Sequence, residues 1–170
     1  MQKLNSDSPM TFVSTLAEDE DYVHVHRDGN SYRVATQIGY DDEKEAIFYL
    51  VVMLDVVPAW DYELRYWIEE YDAETEGFYM YWDRADVRKF IGSEDRKKII
   101  DSLLSLVRHL VRLVRPCSVT ISLKESGNGP HRKDIMLLEV FEDCGYEVTL
   151  CDPWHGQRVC RLERREDCES

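Results

Sequence analysis

Positive charge is scarce in the first half of this chain. Residues 1–83 hold 19 Asp and Glu against 5 Lys and Arg, a net of −14, whereas residues 84–170 hold 15 against 16, a net of +1. The overall charge of −13 therefore belongs to one half, which disfavours direct nucleic-acid binding and favours basic partners, the simpler alternative being a solvated face. Also missing is any uncharged apolar run of about 18 residues, and no basic segment followed by an apolar one opens the sequence, so a soluble, unexported protein with no membrane contact is expected. The five cysteines, Cys117, Cys144, Cys151, Cys160 and Cys168, contain no CxxC pair. Their odd number and core-like neighbours read as reduced, cytoplasmic thiols. Cys151, His155, Cys160 and Cys168 match no zinc-module spacing, and no metal is expected. Repeats, low-complexity segments and linkers are absent, which leaves one α+β domain over residues 1–170, with flexible ends at 1–9 and 165–170.

What is present reads as a β-meander followed by two helical units. A short strand is expected at Thr11–Leu16. Tyr22–Arg27 and Ser31–Ile38 then form a hairpin around Asp28-Gly29-Asn30. Ala46–Val57 is continuously apolar but for Asp55 and is expected as a central strand ending at Pro58. Alternation in Glu63–Tyr71 and Gly77–Trp82 adds two strands around the acidic turn Asp72–Glu76, which makes four or five antiparallel strands in all. A long helix then starts after Ser93 as N-cap and stops before Pro116. Its apolar residues, from Ile99 and Ile100 through Leu103, Leu106, Val107, Leu110 and Val114, cover a wide arc that implies core on two sides. Arg108, Arg112 and Arg115 share its polar face and complement its C-terminus. A strand at Ser118–Leu123, a helix over about His131–Cys144 closed by Gly145, and a last hairpin, Tyr146–Cys151 with Gln157–Arg164, complete the helix-strand-helix-strand-strand order.

From Lys89 to Leu162 that order resembles the C-terminal half of the GNAT acyltransferase fold. Val140-Phe141-Glu142-Asp143-Cys144-Gly145-Tyr146 is similar to the family's Leu-Tyr-x-x-x-Gly-Phe segment. The resemblance implies an acyl-CoA-dependent N-acyltransferase with acetyl-CoA as cofactor. Its pyrophosphate would be held by Lys89, Gly92 and Ser93, where the family's Gln/Arg-x-x-Gly-x-Gly/Ala loop falls on Lys89-Phe90-Ile91-Gly92-Ser93-Glu94. Against this, Glu94 replaces the second small residue, Phe141 stands where the family's tyrosine protonates the leaving thiolate, and Asp134 replaces an asparagine. The layout is also similar to that of small uncharacterised phage and mobile-element proteins.

The expectation drawn from these substitutions is a small acidic protein without catalysis or cofactor, which binds a basic surface through its N-terminal sheet by mimicking a polyanion. The partner would be a basic protein or one that itself binds nucleic acid, and a homodimer stays open. Its contact residues would be Asp61, Glu63, Trp67, Glu69, Glu70, Tyr71, Asp72, Glu74, Glu76, Tyr79 and Tyr81, where aromatic residues coincide with the densest acidic charge. The GNAT-like N-acyltransferase is the alternative.

Overall fold

Alternating apolar and polar residues commit Ser31–Asp41, Ala46–Val57 and Asp61–Asp72 to strands whose successive side chains meet opposite faces. The computed structural model describes residues 12–16, 24–58, 61–82, 84–126 and 129–165, and there these segments form β3, β4 and β5, an antiparallel meander. The expectations for residues 1–9 and for the tail beyond Arg165 lie outside the described residues. β1 (Phe12–Ser14) and β2 (Val25–Asp28) share the outer edge of β3, and β6 (Gly77–Tyr81) returns along β5. There follow α1 (Arg84–Arg88), α2 (Ser93–Val114), β7 (Ser118–Ser126), β8 (Gly129–Pro130), α3 (Arg132–Asp143), β9 (Tyr146–Trp154) and β10 (Gln157–Arg164). The sheet order is β1-β3-β4-β5-β7-β10-β9. This is the expected α+β order, with α1 as an addition. Among the described residues, no helix is long and apolar enough to cross a membrane.

One face of the sheet carries the core. Val34, Phe48, Leu50, Val52, Leu54, Leu64 and Ile68 from the meander join Val119, Ile121, Cys160 and Leu162 from the second half. Ile99, Leu103, Leu106, Val107, Leu110 and Val111 of α2, with Leu137, Val140 and Phe141 of α3, complete the same cluster. The expected apolar arc of α2 is therefore buried along one side, while Leu113 remains exposed. Val51 and Trp67, from the opposite face of the sheet, are buried outside that cluster. The helix starts one residue earlier than expected: Gly92 occupies the N-cap position without a side-chain cap, and Ser93 is already helical. At the other end Arg115 adopts the left-handed conformation (φ 50°) and its N–H donates to Val111 O.

Two local features depend on tight register. Ile38 is the extra residue of a bulge in β3, and the neighbouring Gly39 lies against β1 so closely that an added Cβ would sit 2.4 Å from the Phe12 ring and 2.5 Å from the Val13 carbonyl. Gly39→Ala should therefore cost about 1–3 kcal/mol by overpacking, measured by urea unfolding. An unchanged midpoint would mean that β1 moves aside freely. The second feature corrects an expectation. The turn between β9 and β10 is only His155-Gly156, both at positive φ, so Cys151 faces Cys160 directly and the two form a disulfide with Cα atoms 4.1 Å apart. Read as a five-residue loop, Asp152–Gly156 hid that register, and the expectation of reduced thiols fails for this pair.

Candidate functional site

β5 has one edge divided between two strands. Along one side it pairs with β4 from Asp61 to Asp72. Along the other it pairs parallel with β7 at only Tyr62↔Val119 and Glu63↔Thr120, after which the two strands part. A parallel pair that separates leaves backbone N–H and C=O groups facing a wedge, and something must satisfy them. Here β6 does so from inside the chain: Ile68, Glu69, Glu70, Tyr71 and Asp72 pair with Tyr81, Met80, Tyr79, Phe78 and Gly77. Lys133, in the first turn of α3, has its ammonium 4.9 Å from the Tyr66 ring, which brings α3 to the same part of β5.

The helix that connects β5 to β7 supplies an anion-compatible end. Gly92 has extended backbone (ψ 166°), and a Cβ there would meet nothing within 4 Å, so the first N–H groups of α2 are not masked by a side chain. Arg96 folds back to donate from Nη1 to Ile91 O at 2.6 Å, adding positive charge beside this end, while Glu94 and Asp95 in the same turn add negative charge. Of the other expected ligands, Ser93 is exposed, and Lys89 is turned to Asp86 at 2.9 Å. Phe141 is fully buried edge-on to Tyr146, with ring centroids 5.6 Å apart, so the position of the family's acid is core here. Asp134 is buried in the first turn of α3.

The residues expected to form an acidic contact surface are divided between the two faces of the sheet. Alternation and register place Asp61, Glu63, Trp67, Glu69 and Tyr71 on the sheet face away from α2, and Glu70, Tyr79 and Tyr81 on the helix side. Glu69 and Glu70 are buried. Glu69 accepts from Arg33 at 2.8 Å and from Trp67 Nε1 at 3.3 Å, and Arg33 also lies over the Trp67 ring. Glu70 accepts from the Tyr81 hydroxyl. Asp61 faces Arg161 at 3.6 Å, and Glu63 pairs with Arg65 at 2.8 Å. Asp72 shapes the hairpin turn by accepting from the Glu74 and Thr75 N–H groups. Glu74, Glu76 and Tyr79 remain exposed, with Glu76 at positive φ. Sequence reasoning treated each charge as outward-facing, whereas long acidic side chains here close internal hydrogen bonds.

No protein-family model and no curated protein matches the chain. Among solved structures it is similar to a single-residue mutant of spermidine N-acetyltransferase from Vibrio cholerae, at 11% identity and TM-score 0.36. It is also similar to a chimera of the Vibrio cholerae protein with hSSAT, at 12% identity and TM-score 0.33. Each match covers 81% of this chain and 67% of the other. The likeness is one of fold. The expectation of an acidic sheet that binds a basic surface is corrected by the burial and internal pairing of Glu69 and Glu70, which takes two of its contact residues off the surface.

The acetyl-CoA that the sequence resemblance over Lys89–Leu162 implies would fit this chain unevenly. The open N-terminus of α2 at Gly92 suits a pyrophosphate, despite Glu94. The wedge between β5 and β7 does not suit the rest of the molecule while β6 holds the β5 edge.

Proposed function

We propose that the chain is a GNAT-like N-acyltransferase that uses an acyl-CoA such as acetyl-CoA. The observation that carries this reading is the single parallel pair among the described residues, β5 with β7, which parts after two residue pairs and is linked through the uncapped N-terminus of α2. In this reading Gly92 and Ser93 present backbone N–H groups to phosphate, Arg96 supplies charge beside them, and Tyr66 and Lys133 border the wedge. β6 has to leave the β5 edge before a long ligand enters. That is feasible for a five-residue strand whose Phe78, Tyr79 and Met80 are each at least half exposed.

Thermal unfolding with acetyl-CoA tests the reading. Wild type should melt higher as the ligand rises to millimolar levels, with about 2.7 kcal/mol of added stability at a hundredfold excess over Kd. Gly92→Asp should keep the fold, because Asp is a good N-cap, yet abolish the shift by placing a carboxylate where phosphate would lie. Trp82→Ala removes the stacking on Trp67 (centroids 4.8 Å) that pins the end of β6 and should strengthen binding. No shift in either wild type or Trp82→Ala would end the acyltransferase reading.

A further inference from the structure

Among the described residues, no helix covers the second face of the sheet. Val87 of α1 and the buried apolar residues of α2 and α3 all pack into the one core cluster, whereas Val51 and Trp67 are buried outside it, on the far side of the same strands. An antiparallel sheet left to water on one side turns polar residues outward there. This one does not. Tyr40, Ile47, Tyr71 and Phe78 are ladder neighbours from β3 to β6 and form an apolar row straight across the far face. Met80, paired with Glu69, and Trp82, stacked on Trp67, extend that row along β6. Tyr40, Phe78, Met80 and Trp82 are 39–61% exposed, which makes the patch continuous and open.

Charge decides what fits there. Among the described residues, every acid or base that β3, β4 and β5 place on this face is already in an ion pair: Arg33 with Glu69 at 2.8 Å, Arg65 with Glu63 at 2.8 Å and with Asp55 at 3.5 Å, and Asp61 with Arg161 at 3.6 Å. The face is therefore neutral ground on a chain of net charge −13, and a second copy of the chain can approach here without opposing like charges. The turns 42–45 and 73–76, which carry Asp42, Glu43, Glu45, Glu74 and Glu76 against Lys44, both lie at one end of it. A two-fold axis across the strands sets these turns of the two copies at opposite ends, about 40 Å apart over the length of β4, which is far beyond the screening length of about 8 Å in physiological salt. The same axis lays the apolar row of one copy over Met53 and the hydrocarbon stems of its ladder neighbours Arg33 and Arg65 in the other.

We propose that the helix-free face is the contact between two copies of this chain, packed sheet on sheet about a two-fold axis that runs across the strands. Half-exposed side chains of this size each leave about 100 Å² in water, and the four of them with the partly covered Ile47, Tyr49 and Tyr71 bring the face to about 600 Å² per copy, the lower limit of specific interfaces. Such an area gives a dimer that dissociates at micromolar concentrations, so unfolding of dilute protein reads the single chain.

Sedimentation of the full chain between about 1 and about 200 μM tests the proposal. The mass should rise from 20.1 kDa toward twice that value as the concentration increases. Raising sodium chloride from about 50 to about 500 mM should tighten the dimer, because salt screens the repulsion between two acidic chains and leaves the apolar contact in place. Phe78→Lys and Tyr40→Lys should each weaken it by about tenfold or more. Both changes bring the chain closer to neutrality, which by itself favours association, yet each sets a desolvated ammonium against Arg33 and Arg65 of the second copy. Leu113→Lys, the same change at an exposed position of α2, should leave the dimer as it is. A mass that stays at 20.1 kDa throughout, a dimer that salt dissolves, or one that Phe78→Lys and Tyr40→Lys leave intact overturns the proposal. None of these measurements involves acyl-CoA, so their failure leaves the acyltransferase reading standing.

Discussion

Phe48→Ala should lower the unfolding free energy by about 3–5 kcal/mol, a large part of the 5–15 kcal/mol typical of a natural domain. Phe48 lies on β4, fully buried, stacked on Phe90 with centroids 5.2 Å apart and edge-on to Phe12 at 5.5 Å. Phe90 belongs to the connection that leads from α1 into α2 and is itself 5.0 Å from the Tyr81 ring. Removing the Phe48 ring therefore opens a void where the meander, β1 and the start of α2 meet, and its neighbours cannot all close on it at once. Phe78→Ala, at a residue 61% exposed, should cost about 1 kcal/mol or less, the scale of its one ring contact with Tyr71. Urea unfolding of both variants checks the pair. If Phe48→Ala does not fold, Phe48→Leu should still cost more than Phe78→Ala. Equal costs would mean that the Phe48 cluster is not the junction described.

Much of this junction was legible in the sequence, and the reason is periodicity. β4 is found at the expected Ala46–Val57, because a run rich in β-branched residues stopped by Pro58 admits few other conformations. α2 and α3 follow from 3.6-residue spacing and from Pro116 and Gly145 as stops. Pairing between distant strands was not legible. Nothing local to Tyr62 or Val119 announces that they are parallel neighbours, and hence nothing announces the wedge. For the candidate site the sequence indicated Gly92 as the open residue, but not that Lys89 turns away to Asp86. The acidic hairpin was misread for a further reason. Composition locates charge along the chain, but the partner of a carboxylate is a tertiary fact. Arg33, for one, reaches Glu69 across β4.

The last such partner carries the second large prediction. Glu70 is buried on the helix side of β5, opposite Phe48, and the Tyr81 hydroxyl donates to it. Tyr81→Phe removes that donor from a charged acceptor and should cost about 1.5–3 kcal/mol. Glu70→Gln should cost less, because the amide oxygen can still accept. In a double-mutant cycle the coupling between the two should be about 1 kcal/mol, the difference between a hydrogen bond to a charged acceptor and one to a neutral acceptor. Burial first, and donation to Glu70 second, raise the Tyr81 ionisation above its ordinary value of 10.0. The sign follows from linkage: a raised phenol stabilises the folded state fully below pH 10, and that contribution is lost as pH climbs past it. Wild type should therefore lose its advantage over Tyr81→Phe progressively in alkali above that point. Because Tyr81 is the final residue of β6, this bond is also a fastening that holds β6 in the wedge. Tyr81→Phe should then loosen β6 as Trp82→Ala does, and strengthen acetyl-CoA binding while weakening the fold. A coupling near zero would show that β6 is held by its backbone ladder alone.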